Sequence, residues 1–155
     1  MINESIYEDG NGGQLLLKNN NIAQTSSIYT LAYLKMFGGN IEASTVKNNV
    51  VGAIRNDWWG NDVNENSSEW INSETERTLK GIALTTKNIY RIQQAVKKDL
   101  KSLEEFGAIE ISITYPDINR VSIEILIKEP ERKDNNRLIV IWDNTKNEIV
   151  NQEII

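Results

Sequence analysis

Four carboxylates accompany three tryptophans within one short stretch of this chain: Asp57, Asp62, Glu65 and Glu69 lie among Trp58, Trp59 and Trp70. A pair of carboxylates can serve as general acid and as base or nucleophile, and this is the only enzymatic route the composition readily permits. The chain has no histidine and no cysteine. That removes the thiol nucleophile, the imidazole base and the ligands that zinc sites favour. The plainer reading of the four acids is turn chemistry and loop solvation, because they are interleaved with Asn, Gly and Ser. A glycosidase of the two-carboxylate type usually needs a deep cleft, which a chain of 155 residues with a small sheet does not easily enclose. The same residues could instead form a carbohydrate-binding surface, with tryptophans stacked on sugar rings and Asn and Asp bonding the hydroxyls.

The tryptophans pose a burial problem of their own. In Ile54-Arg55-Asn56-Asp57-Trp58-Trp59-Gly60-Asn61-Asp62, followed by Ser67-Ser68-Glu69-Trp70, the largest side chains stand in a polar, turn-forming segment. A buried indole needs a partner for its N–H, so the cluster must be covered either by the chain's own core or by another molecule.

Composition narrows the setting. A content of 39% apolar and 25% charged residues over 155 positions suits one soluble globular domain. The net charge of −5 opposes binding to nucleic acid or to an anionic membrane surface. The start Met1-Ile2-Asn3-Glu4 lacks the basic-then-apolar pattern of a signal peptide, and no apolar run approaches membrane-spanning length, so synthesis in the cytoplasm is expected.

The elements that must position these residues follow from periodicity. Asp9-Gly10-Asn11-Gly12-Gly13 forms a turn, Gln14 to Lys18 reads as a strand, and Asn19-Asn20-Asn21 turns again, making residues 1–25 a peripheral segment. Ser26 or Ser27 caps a helix, apolar nearly all round, that Gly38-Gly39 stops; it is either central to the core or covered by another chain. Residues 40–72 show no clean period and form a long loop holding the tryptophans. Ser73-Glu74-Thr75-Glu76 matches a capping box, with Gly81 ending the short helix it starts. Thr85 or Thr86 caps the strongest helix, in which Ile89, Ile92, Val96, Leu100 and Leu103 share one face, while Arg91, Gln94, Lys97, Lys98 and Lys101 form a solvated opposite face. Glu104 and Glu105 stand in its last turn, against the negative end of the helix dipole, and should be paired with Lys101 or a cation from elsewhere. Two alternating strands follow, carrying Ile109, Ile111, Ile113 and Tyr115 and then Val121, Ile123, Ile125 and Ile127. A third runs from Arg137 to Trp142 through Ile139 and Ile141, and the apolar end of the chain can add a fourth. The fold class is α+β: a small antiparallel three- to four-stranded sheet packed against a long amphipathic helix, with shorter helices and a long Trp-containing loop, in a single domain over 1–155.

The order Leu34-x-Met36-Phe37-Gly38-Gly39-Asn40, then Asp57-Trp58-Trp59-Gly60-Asn61-Asp62, then Ser67-Ser68-Glu69-Trp70, a long helix with Ala95-Val96 and the strand from Ile109 to Ile113 resembles the Mu-like phage baseplate protein family. That family is similar to the wedge or tail-sheath initiator proteins of contractile tails, some of which carry a lysozyme-like label. The likeness spans about Tyr29 to Trp142, and its most specific part is the Trp-Trp-Gly segment with the following Ser-x-x-Trp. The wider sheath-initiator family ends its long helix with Glu-Pro-Arg, whereas this chain reads Glu104-Glu105-Phe106-Gly107-Ala108-Ile109 and keeps only the acid. The resemblance implies a non-enzymatic virion protein of the tail baseplate, without cofactor or metal, present as several copies in a ring. Its partners would be baseplate wedge proteins and the tail sheath, with tail tube or hub proteins as further neighbours and neither nucleic acid nor membrane. It also implies roles for particular residues. Asp57, Trp58, Trp59, Gly60, Asp62 and Trp70 become a fold signature or interface, Glu104 or Glu105 a helix-end acid, and Ile109, Ile111, Ile113, Val121, Ile123, Ile125, Ile139 and Ile141 the sheath-facing sheet.

Overall fold

A computed structural model of the chain describes residues 2–4, 6–8, 13–15, 17–18, 20–22, 24–39, 61, 63, 65–66, 70–130 and 136–155. Short strands come first: β1 (Ile2–Glu4), β2 (Ile6–Glu8), β3 (Gly13–Leu15), β4 (Leu17–Lys18), β5 (Asn21–Ile22) and β6 (Gln24–Ser26). Three helices follow: α1 (Ser27–Phe37), α2 (Glu74–Gly81) and α3 (Thr86–Leu100). The long strands β7 (Ala108–Asp117), β8 (Arg120–Lys128), β9 (Arg137–Asp143) and β10 (Glu148–Ile154) complete the chain.

Period-two alternation determines what the sheet buries. In β8, Val121, Ile123, Ile125 and Ile127 are almost wholly buried while the residues between them are not. Their cross-strand partners on β9 are Trp142, Val140 and Leu138, all buried, and on β7 they are Ile113, Ile111 and Ile109. Directly opposed residues of an antiparallel pair share a face, so one continuous apolar surface runs across three strands. Burying each of these side chains is worth roughly 1.5–3 kcal/mol. β10 pairs with β9 through a bulge between Ile149 and Asn151, and the turn between them uses Asn147 in the left-handed region at φ 56°, which Asn tolerates. Asp143 shapes that turn by accepting the amides of Thr145 and Lys146 at 3.0 and 3.2 Å.

The helices cover this apolar face. Ile92, Val96, Leu100 and Leu103 lie in the core together with Ile28, Tyr29, Ala32 and Met36 of α1 and Leu79 of α2. The nearly all-apolar α1 is therefore a core helix, with Leu31 its one exposed large apolar residue. Phe37 stacks on Trp142 with ring centroids 6.4 Å apart, and the Tyr29 hydroxyl donates to the Asn136 carbonyl, so α1 is fixed to the sheet at two points.

Three features differ from the sequence reading. The N-terminal segment is not only peripheral, because β2 pairs with β10 and β3 with β2, giving the strand order β3-β2-β10-β9-β8-β7. The strong helix stops at Leu100, and Lys101–Glu105 continues as a tighter 3-10 turn. This turn keeps Leu103 in the core and holds Glu104 and Glu105 exposed, where neither forms an ion pair with Lys101 or with any other of the described residues. Finally, the capping box does not form. Ser73 Oγ accepts the Gly38 amide at 3.0 Å, and Glu76 reaches forward to Lys80 at 2.5 Å rather than back to Ser73.

Gly107 sits where the 3-10 turn meets β7, and a Cβ there would press on the Lys128 carbonyl. Gly107→Ala should lower stability by about 1–3 kcal/mol in denaturant unfolding. Gly81→Ala should raise it by up to about 1 kcal/mol, because a methyl group at that helical position meets nothing within 4 Å.

Candidate functional site

The acids and indoles that opened the sequence reading are only partly within the described residues. Asp57, Trp58, Trp59, Gly60, Asp62 and Glu69 lie outside them, whereas Glu65 is exposed and Trp70 is half-buried. Within Asp57 to Asp62 the described residue is Asn61. Its side chain is buried, donates through Nδ2 to the Ile71 carbonyl at 2.9 Å and accepts the Ile71 amide through Oδ1 at 2.9 Å. One side-chain amide thus satisfies both backbone groups of a buried residue, as a paired strand would, and ties position 61 to the chain just before α2. The sequence signal was a lone Asn between Gly60 and Asp62, which turn chemistry explains equally well.

Continuing from Ile71, the start of α2 is held from outside. Ser73 N donates to the Gly39 carbonyl at 2.9 Å, joining the ends of α1 and α2. The orphan amides of the first turn go to α3: Glu74 N donates to Asp99 Oδ1 at 2.9 Å and Thr75 N to Asp99 Oδ2 at 2.7 Å. A carboxylate on a neighbouring helix does what an N-cap side chain normally does, and it meets the positive end of the α2 dipole. Burial pushes the Asp99 carboxyl up to about 6, against these amides, which favour the ionised form. A signal for this residue existed in the sequence. Asp99 is three residues past Val96 and four before Leu103, so it is an acid on the border of an otherwise apolar stripe.

Beside Asp99 opens a cleft of about 610 Å³, lined by Lys35 of α1, Trp70, Lys98 and Asp99 of α3, and Lys101 and Ser102 of the 3-10 turn. Its lining thus includes three lysines and one tryptophan. A smaller groove of about 280 Å³ continues between α2 and α3 past Tyr90, Arg91 and Gln94.

The sheet residues divide into three groups. Val121, Ile123 and Ile125 are 0% exposed on a strand bonded on both sides, so neither their side chains nor their backbone can meet a partner. Ile139 and Ile141, also on a strand bonded on both sides, are half-buried on the opposite face, across from Glu124 and Ser122. Ile109, Ile111 and Ile113 stand on β7, the edge of the sheet, and are half-buried on the core side. At the far end of β7, the Tyr115 hydroxyl donates to the Thr85 carbonyl at 2.9 Å and holds the strand against the start of α3. Among the described residues no cluster of three or more acids is placed to hold a metal ion, and no helix is long and apolar enough to cross a membrane.

The raised Asp99 carboxyl has a definite pH signature. Below pH 3.8 both folded and unfolded chains are protonated at this group, which then leaves stability unchanged. Between 3.8 and about 6 the unfolded chain ionises first, so stability falls as pH rises and levels off above that window. Relative to Asp99→Asn, the wild-type chain should lose stability across that interval in thermal or urea unfolding; parallel pH profiles would show that the carboxyl is not raised. Comparison of the chain with protein-family models, with curated proteins and with solved structures finds no match.

Proposed function

We propose that this chain is a non-enzymatic structural component of the baseplate of a contractile phage tail or related injection machine. In this reading it docks on the baseplate wedge in several copies and starts the sheath by accepting a strand along β7. The observation that carries the reading is the state of that edge. β7 is ten residues long, β8 pairs with one side of it, and no described strand pairs with the other. At the opposite end of the same sheet the edge strand is the three-residue β3. Long unprotected edges are templates for pairing with another chain, and natural proteins normally shorten, bulge or cover them.

Burial points to the same strand. Ile109, Ile111 and Ile113 are half-buried, whereas their partners Ile127, Ile125 and Ile123 are 0–2% exposed, so the apolar face thins out at β7. A strand added there would cover those isoleucines, together with Phe106, which is 50% exposed at the start of β7. The family resemblance supplies the identity of the partners: sheath at the edge, and wedge at the loop bearing Trp58, Trp59 and Trp70. The glutamates at 104 and 105, exposed beside the start of β7, would then meet cations of the incoming chain.

Deleting the gene in a host that produces such tails should leave tubes and baseplates without sheath, with the wild-type chain supplied in trans restoring it. Sheathed tails in the deletion strain would contradict the reading. So would a purified chain that cleaves peptidoglycan and loses that activity in Asp57→Asn or Glu69→Gln.

A further inference from the structure

The cleft beside Asp99 is not used by the strand added at β7, although its Trp70 lies in the segment given above to the wedge, and its charge runs against that of the whole molecule. The chain has 22 acidic and 17 basic residues, yet the cleft brings together Lys35, Lys98 and Lys101 with one carboxylate. Both oxygens of that carboxylate already accept amides of α2. Lys98 lies 3.4 Å from Glu74, but its side chain is 71% exposed, a pairing that water largely screens. Lys35 and Lys101 form no ion pair with the described residues. The half-buried Trp70 forms part of the same wall, so an apolar side chain and the lysines Lys35 and Lys101 line one cleft.

We infer that this cleft is a docking site for a short acidic segment of a partner protein, carrying an Asp or Glu toward Lys35 and Lys101 and an apolar side chain toward Trp70. Its volume of about 610 Å³ is that of an open cleft in the size range of small-ligand sites. Charge and surroundings favour a short peptide over an extended polyanion. A nucleic acid strand running past Lys101 would meet the exposed Glu104 and Glu105 within one turn, and then a surface with net charge −5. A short segment ends before reaching them. The cations supply register and encounter rate, and the indole supplies the desolvated contact that holds the segment.

The test uses the full chain and a fluorescein-labelled peptide in which glutamates flank a leucine, read by fluorescence anisotropy. Binding should be measurable at low salt and should weaken at least roughly tenfold at about 0.5 M salt, where charges are screened within a few ångström. Lys35→Glu with Lys101→Glu should weaken it by roughly tenfold or more, while Lys97→Glu, on the exposed face of α3 but outside the cleft lining, should leave it within about twofold. Circular dichroism reports whether the double variant folds; should it not, Lys101→Glu alone is expected to weaken binding several-fold. No binding at low salt, or equal binding by the charge-reversed variant, overturns the proposal. Tighter binding of a single-stranded oligonucleotide of equal charge would assign the surface to nucleic acid and overturn it. Salt-sensitive self-association abolished by the same variant would assign the cleft to a second copy of the chain, with the same consequence.

Discussion

The burial of a single face of the sheet is the constraint on which the rest of this structure depends. β8 contributes Val121, Ile123, Ile125 and Ile127 to that face, and its neighbours complete it with Leu138, Val140 and Trp142. Because strand side chains alternate strictly, a shift of one residue would turn all of these to solvent, so the register of the whole meander is fixed by one decision about which side is inside. The three helices must then lie on that side. The opposite face keeps Glu110, Glu124, Lys128 and Arg137, which join across strands as Glu110 with Lys128 and Glu124 with Arg137. Coverage by helices is complete over β8 and β9 and thins at β7, the edge of the sheet.

Without disulfides, the connections between helices depend on a few buried polar groups. Asp99 joins α3 to α2, Ser73 joins α2 to α1, and Asn61 joins the long loop to Ile71. Each group bonds backbone atoms of another segment, Asp99 and Asn61 as the partners of amides at the start of α2 and at Ile71, and each acts between elements distant in sequence or at the end of a loop. Such contacts position the walls of the Lys35, Lys98 and Lys101 cleft, since Asp99 and Trp70 flank the same junction. The cleft and the β7 edge thus rest on different supports: the first on polar links between helices, the second on apolar alternation within the sheet.

Much of this was legible in the residues. The alternation of Ile109 to Tyr115 and Val121 to Ile127, the three-four spacing from Ile92 to Leu100, and Gly38-Gly39 after an apolar run are local signals, and the corresponding elements form where they predict, except that the α-helix passes into a 3-10 turn before Leu103. What escaped was long-range. A capping box is a statement about four consecutive residues, and at Ser73 it yielded to an acid twenty-odd positions downstream that accepts the neighbouring first-turn amides of Glu74 and Thr75, while the Ser73 amide goes to the Gly39 carbonyl. The pairing of β2 with β10 joins opposite ends of the chain, which no local period encodes. The cleft was invisible for the same reason, because Lys35, Trp70 and Lys101 become neighbours only once α1 and α3 pack together. The tryptophan pair Trp58 and Trp59, the most conspicuous feature of the sequence, lies outside the described residues.

The account holds that β7 is an edge kept open for another chain. A three-dimensional reconstruction of an assembled tail containing this protein tests it most directly. The account predicts a strand from a neighbouring protein hydrogen-bonded along Ile109 to Tyr115, with Ile109, Ile111 and Ile113 covered. A β7 edge facing bulk solvent in the assembled particle, or one paired with a segment of its own chain, would contradict it.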